Sequence, residues 1–339
     1  MGQGLKGGYH VRAPVLAVIA VWFSVLMLPS PMLASDVLRD MRGQPIETRQ
    51  DMLAWINAYR DDPRPDQLPE AVKTMSRLGL FRDTETAGVY LGFAAGVIGA
   101  NQPRASNLIT GMFPMRPADQ IVIIRAITDS GLPEWRTLLN AFTERMPARH
   151  VTIRQYLEAK RKPLAQTPLD QSPAVIDAWW GVYFATGRYD PILRLLPALA
   201  WTDEKENLER LTIGSMAKWT LASNASRDKP LLDYLRDESF RQPSRIAGQL
   251  REIVAAAETF EVAKIRKAQV AKIETRKAKG PPRARGWAWW SEMASTALAV
   301  GCVVAGATGQ AALGLPCIIG GAVSSAATTV LRREESLAR

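Results

Sequence analysis

The sequence predicts an all-α fold: a helical array or bundle with an internal pseudo-repeat, a long basic helix and a C-terminal Gly/Ala-rich apolar helical hairpin. Three observations carry this. No stretch of the 339 residues sustains the alternation of apolar and polar residues that a half-buried strand needs. Proline recurs at the starts of short apolar-periodic segments, where its missing N–H costs nothing. The C-terminal region is charge-free over a span of helical length, with small residues repeating every four positions.

Residues 1–34 read as an export signal. Lys6, His10 and Arg12 form a weakly basic start, Ala13–Leu28 is apolar and uncharged, and Pro29 and Pro31 end the run. Ala34-Ser35 offers a small-residue cleavage point, with Met32 at the less suitable minus-three position. An uncleaved anchor and a buried core helix are the alternatives; the run of about 16 residues is short for a stable span.

A helical body is expected over residues 35–242. Thr48 with Asp51 resembles a capping box with Asp in place of Glu or Gln. Pro69, Pro117, Pro133, Pro173 and Pro191 suit first-turn positions. Ser172 and Asp190 precede two of them and can cap the exposed first-turn amides. Between these marks lie short amphipathic helices over Gln120–Thr128, Trp135–Phe142, Ala174–Thr186 and Ile192–Leu199. The β-branched run in the first of these leaves a short buried strand open. Helices of this length are marginal alone and must pack on one another, and short connections would make sequential helices neighbours.

An internal similarity has an offset of roughly 90 residues. Tyr90-Leu91-Gly92 opens one series, followed by helices ending at Met112-Phe113, over Ile121–Ile127 and from Trp135. Trp179-Trp180-Gly181 opens the other, followed by Ile192–Leu199, Leu208–Leu221 and Leu231–Leu235. A true duplication would suggest stacked helical units that present surfaces rather than active sites.

Residues 243–286 read as one long helix and a linker. The helix runs from Pro243 to about Lys279, with Ile246, Leu250, Ile253, Val254 and Ala257 on one side, and Gly280-Pro281-Pro282 ends it. Nine basic residues, Lys264, Arg266, Lys267, Lys272, Arg276, Lys277, Lys279, Arg283 and Arg285, form a patch suited to anionic lipid. Much of the formal net charge of +10 is expected to sit there. A solvated basic helix is the plainer alternative. Nucleic acid fits less well as a partner, because an exported chain rarely meets it and aromatic interleaving is sparse.

The hairpin occupies residues 287–331, ahead of a basic tail over 332–339. Trp287, Trp289 and Trp290 suit a membrane–water boundary. From Glu292 no charge follows until Arg332. Ala297, Gly301, Ala305 and Gly309 line one helical face, and Gly320, Ser324 and Thr328 another, with Gly314-Leu315-Pro316 as the turn. Each arm has roughly 16 residues, short for a full span. Basic flanks on both sides favour a hairpin that returns to its own side, although an exported body would place those flanks outside, against the usual bias. Cys302 and Cys317, the only cysteines, suit one disulfide in an oxidising compartment or two small buried apolar residues. A soluble hairpin packed on the body is the alternative to membrane insertion.

Two segments carry a resemblance. Gly111–Gln120 (GMFPMRPADQ) and Leu211–Ala225 (LTIGSMAKWTLASNA) are similar to stretches of uncharacterised exported helical proteins of proteobacteria. The resemblance implies an exported helical protein and brings no activity, cofactor or site residue.

The composition excludes several chemistries. His150 is the one histidine beyond the signal region, and no G-x-S-x-G elbow accompanies it. Clustered Cys and His for zinc are lacking. Gly92, Gly96 and Gly99 lack the Lys-Ser/Thr of a phosphate loop and suit close helix packing instead. Carboxylates such as Glu134, Asp177, Asp190 or Glu204 are the remaining acid–base candidates, and only a fold can pair them. The expectation is therefore an exported, membrane-associated interaction or scaffold protein of the cell envelope or periplasm. Its partners would be membrane lipids and another protein, and no catalytic or metal residue and no cofactor is assigned. A carboxylate-dependent envelope hydrolase and a protein that inserts its hairpin into a target bilayer are the alternatives.

Overall fold

The computed structural model describes residues 38–40, 43–82, 86–259 and 261–278. These are helical throughout, with thirteen α-helices joined by short 3-10 turns and one isolated antiparallel bridge between Arg39 and Pro45. The helices are α1 (Arg49–Ala58), α2 (Leu68–Arg77), α3 (Gly88–Ala100), α4 (Ala105–Gly111), α5 (Ile121–Thr128), α6 (Trp135–Ala141) and α7 (His150–Leu157). There follow α8 (Pro173–Thr186), α9 (Asp190–Leu195), α10 (Leu208–Ala225), α11 (Lys229–Arg241), α12 (Ser244–Glu258) and α13 (Val262–Ala278). The all-α expectation holds for these residues, and Ile121–Thr128 is helix, not strand.

Several helix starts form as local chemistry dictates. The Thr48 hydroxyl accepts from Asp51 N, and the Asp51 carboxylate accepts from Thr48 N at 2.8 Å, so the capping box closes with Asp. Ser172 caps α8 through Ala174 N, and Pro173 takes its first position. Asp190 does not cap: it is the first residue of α9, and its carboxylate is drawn away by the Arg188 guanidinium.

The tightest packing joins helices far apart in sequence. Gly92 approaches α8 so closely that a Cβ there would lie 1.9 Å from the Ala178 carbonyl oxygen. A Cβ on Gly181 would lie 2.2 Å from the Val89 oxygen. Gly88 faces Ala174 and Asp177, and Gly96 faces Val182 and Ala185. Contacts that rise together along both helices make α3 and α8 a parallel pair joined by small residues every four positions. The contacts also repeat under a shift of 89 residues. Gly92 on Ala178 becomes Gly181 on Val89, and Gly88–Asp177 and Gly96–Ala185 map onto themselves. The internal similarity is thus realised as a pseudo-two-fold helix pair. Beyond it the two series diverge: α5 packs on α3, whereas α10 lies mainly against the 196–201 turn, α12 and α13. A central pair bridging distant segments, with one main apolar core around it, replaces a nearest-neighbour stack.

The helix expected from Pro243 to Lys279 divides at residues 259–261. Thr259 closes α12, with its hydroxyl on the Ala255 oxygen, and Glu261 N returns to the Ala256 oxygen at 2.9 Å. The break lets α13 fold back along α10, which lays Ile265, Gln269 and Ile273 into the interior at four-residue spacing. A straight continuation would have left that stripe in water.

The α10–α12–α13 interface is a polar seam. Buried Ser215 donates to the Gln269 side-chain oxygen at 2.9 Å. Lys218, with a side chain only 4 % exposed, donates to Gln249 Oε1 at 2.7 Å and pairs with Glu252. Lys272 binds Asp203 at 2.5 Å, and Arg276 reaches the Glu206 carbonyl at 3.2 Å. Hydrogen bonds and ion pairs thus join the Ile265 and Ile273 contacts in holding α13 to the body.

Candidate functional site

A large basic cleft of about 1130 Å³ opens where α3, α5, α7 and the 158–172 segment meet. Its cations arrive from four separate places: Arg82 after α2, Arg125 on α5, Arg149 ahead of α7, and Lys160-Arg161-Lys162 after it. Among the described residues the lining includes a single carboxylate, Asp119, which is 2 % exposed and already engaged by Ser76 Oγ at 2.5 Å and Arg116 Nε at 2.9 Å. Thr152, Thr167, Gln171 and Ser172 add hydroxyl and amide groups.

Three of the guanidiniums are held by partners of their own. Arg149 donates through Nε to the Pro117 carbonyl at 2.8 Å and through an Nη to that of Ala118 at 2.5 Å. Arg125 is clamped by Asp129, whose other oxygen accepts from Leu164 N at 2.9 Å. Arg161 hydrogen-bonds the Tyr156 hydroxyl. Burial of that phenol, outweighing its cationic neighbours, raises its pKa above the ordinary value, so it stays neutral at physiological pH. Ala159 turns the chain into the Lys-Arg-Lys run in the left-handed region, at φ 56°, a conformation costly to a residue with a Cβ. Leu164, Val175 and Ala178 form a small separate apolar cluster that anchors the segment after it. Six cations with few opposing carboxylates among the described lining residues give the cleft a positive potential; Arg125 and Arg149 are partly buried, and Arg82, Lys160, Arg161 and Lys162 are exposed at its rim.

The carboxylates considered from sequence lie on separate elements. Asp177 is fully buried against Gly88 in the central helix pair. Glu134 accepts from Gln102 Nε2 at 2.6 Å, Asp190 pairs with Arg188, and Glu204 accepts from the backbone N–H groups of Lys205 and Glu206. None of the four lines the cleft. His150 begins α7, and its Nε2 is buried with no hydrogen-bond partner among the described residues. Among those residues no three His, Cys, Asp or Glu side chains converge as metal ligands would.

The basic residues singled out for lipid divide into groups. Lys272 and Arg276 are committed to the body through Asp203, the Thr202 carbonyl and the Glu206 carbonyl. Arg266 lies 5.9 Å from the Trp219 ring. Lys264 pairs with Glu261, and Lys267 is exposed. Lys277 falls in α13 with its side chain outside the description, and Lys279, Arg283 and Arg285 lie beyond the described residues. So do Trp287, Trp289, Trp290, the Cys302–Cys317 pair, the signal segment, and the small-residue faces of Ala297, Gly301, Ala305, Gly309, Gly320, Ser324 and Thr328. No helix among the described residues is long and apolar enough to cross a membrane.

The cleft itself escaped the sequence reading. The Lys160-Arg161-Lys162 triplet was its one local signal, and the other three cations are isolated in sequence. No protein family, curated protein or solved structure matches the chain.

Proposed function

We propose that this chain is a binding protein of the cell envelope whose helical body holds an anionic ligand or partner in the basic cleft, with residues 287–331 as its membrane attachment. The observation that supports the binding half most is the charge balance of the cleft's described lining residues: six cations and one carboxylate, which Ser76 and Arg116 already engage. Among the described lining residues no nucleophile–base pair and no two facing carboxylates accompany it, and this arrangement suits holding a ligand. The attachment half rests on the charge-free, Gly/Ala-patterned sequence after Glu292 and on the Trp cluster before it.

Titration calorimetry of the full chain with citrate and with inorganic phosphate tests the cleft. Saturable binding that disappears in the Lys160→Gln, Arg161→Gln, Lys162→Gln variant is the expected outcome. Absence of binding to either anion at low salt would remove the reading. For the attachment, alkaline-carbonate washing of membranes should retain the full chain and release a truncation after Arg285. Release of both would exclude an integral anchor.

A further inference from the structure

We infer that the cleft takes a compact, multiply phosphorylated ligand, an inference that rests on the anion-binding reading above. The charge count favours phosphate. Arg125 is matched by Asp129, and Lys160 by Glu158 at 2.7 Å. Arg82, Arg149, Arg161 and Lys162 make no ion pair among the described residues. Four cations without an ion-pair partner among the described residues call for about four carboxylates, but only two or three phosphate groups, each of which carries about −1.5 to −2 at neutral pH. A cavity of about 1130 Å³ accommodates such a ligand whole.

Donor geometry points the same way. The Arg149 fork is held on two backbone carbonyls, so less of its side-chain entropy remains to be lost when oxygens dock. Guanidiniums held in place suit the bidentate acceptors of a phosphate, and the two flanking lysines add point charge. A nucleobase finds no platform: the two aromatic lining residues, Phe81 and Tyr156, are each 3 % exposed and sit within the core. The phosphates themselves, and not an attached aromatic group, are what the lining recognises.

The test uses the full chain at near-physiological salt, titrated with tripolyphosphate and with citrate, and separately with vesicles containing phosphatidylinositol bisphosphate. Tripolyphosphate is expected to bind one to one, at least tenfold tighter than citrate. Arg161→Gln with Lys162→Gln should weaken it at least tenfold while leaving the melting temperature within 2 °C. Lys264→Gln with Lys267→Gln, on the exposed side of α13, should leave tripolyphosphate binding unchanged. Vesicle binding that the cleft pair abolishes, with tripolyphosphate as a competitor, would place the phosphates on a lipid headgroup. Tripolyphosphate binding without such vesicle binding would place them on a soluble ligand. Equal affinity for citrate and tripolyphosphate overturns the phosphate assignment and leaves anion binding standing. An equal loss from the α13 pair and the cleft pair also overturns it. No binding of any anion removes the underlying reading as well.

Discussion

Gly92→Ala wedges the central helix pair apart, and the size of the effect follows from the contacts. The new methyl would lie 1.9 Å from the Ala178 carbonyl oxygen, where an ordinary carbon–oxygen contact is about 3.3 Å. The obstructing atom is backbone, so no side chain can rotate out of the way, and α3 and α8 must part by on the order of 1 Å. A gap of that size forfeits about a third of the dispersion energy across the interface. Val89, Phe93, Ala178 and Val182 lie at this crossing, and dispersion across a packed crossing of this size is on the order of 10 kcal/mol. The loss is then about 3–4 kcal/mol, against about 1 kcal/mol gained from the better helix propensity of alanine. A net destabilisation of about 2–3 kcal/mol corresponds to a melting point about 5–10 °C lower for a body of this size.

The assay is thermal unfolding followed by far-ultraviolet circular dichroism, with Gly248→Ala as the control. Gly248 lies inside α12, and the nearest atom to an added Cβ is the tip of Arg251, 3.9 Å away. That substitution should stabilise by about 0.5–1 kcal/mol. Gly181→Ala should resemble Gly92→Ala, because it obstructs the same crossing from the other side. The double variant should cost less than the sum of the two, since the first methyl already opens the gap that the second needs. A Gly92→Ala melting point within 2 °C of the unaltered chain would refute the close parallel pairing, and full additivity would refute the shared crossing.

Other consequences concern the cleft and the polar seam. Asp129→Ala strands the Arg125 guanidinium and removes the acceptor for Leu164 N, so it should cost about 3 kcal/mol in urea unfolding and speed hydrogen exchange over residues 158–172. The hydrogen bond from Lys272 holds the Asp203 pKa below its ordinary value in the folded chain. The stabilisation is therefore present above the unfolded-state carboxylate pKa, near 4, and is lost as pH falls through the lower folded value. Exchange protection of α13 should accordingly drop on acidification below about pH 4, and Asp203→Asn should flatten that dependence; an unchanged profile in the variant would exclude the pair as its cause. Lys218→Met replaces a buried charge whose partner Glu252 is largely solvated, so stability should change by less than about 1.5 kcal/mol, whereas Lys218→Ala should lose more through the cavity left behind.

What the sequence revealed was mostly local. The Thr48–Asp51 box, the Ser172 cap and the small-residue spacing of Gly92 and Gly96 each depend on residues within a turn or two of one another, and each formed. Asp190 failed as a cap because Arg188, two residues away, offers a full charge where the helix end offers only backbone amides. The division at Thr259 was hidden for a different reason. The Ile265–Gln269–Ile273 stripe is interrupted by basic residues and has a glutamine at its centre, so its apolar signal is weak until Ser215 supplies a partner. The cleft was least legible of all, since Arg82, Arg125 and Arg149 are separated by 24 residues or more and meet only where the end of the α2 segment, α5 and the start of α7 line one cavity.

The fold also redistributes the chain's charge. By sequence, the positive excess gathers in one run before the apolar C-terminus. In the structure Lys272 and Arg276, inside that run, are consumed by Asp203 and by the carbonyls of Thr202 and Glu206. A second positive centre of six cations stands in the cleft instead. The two differ physically. Ion pairs such as Lys272–Asp203, each side chain about half exposed, are weak and screened by salt. Arg125, paired with the buried Asp129 carboxylate, is screened far less. An anionic surface that meets α13 must compete with the body for Lys272 and Arg276, so lipid attraction and α13 docking oppose each other. Of the cleft cations, Arg82, Arg161 and Lys162 have no ion pair among the described residues and face less such competition. Raising salt should therefore loosen α13, which exposed ion pairs hold, before it disturbs the buried Arg125–Asp129 pair at the cleft.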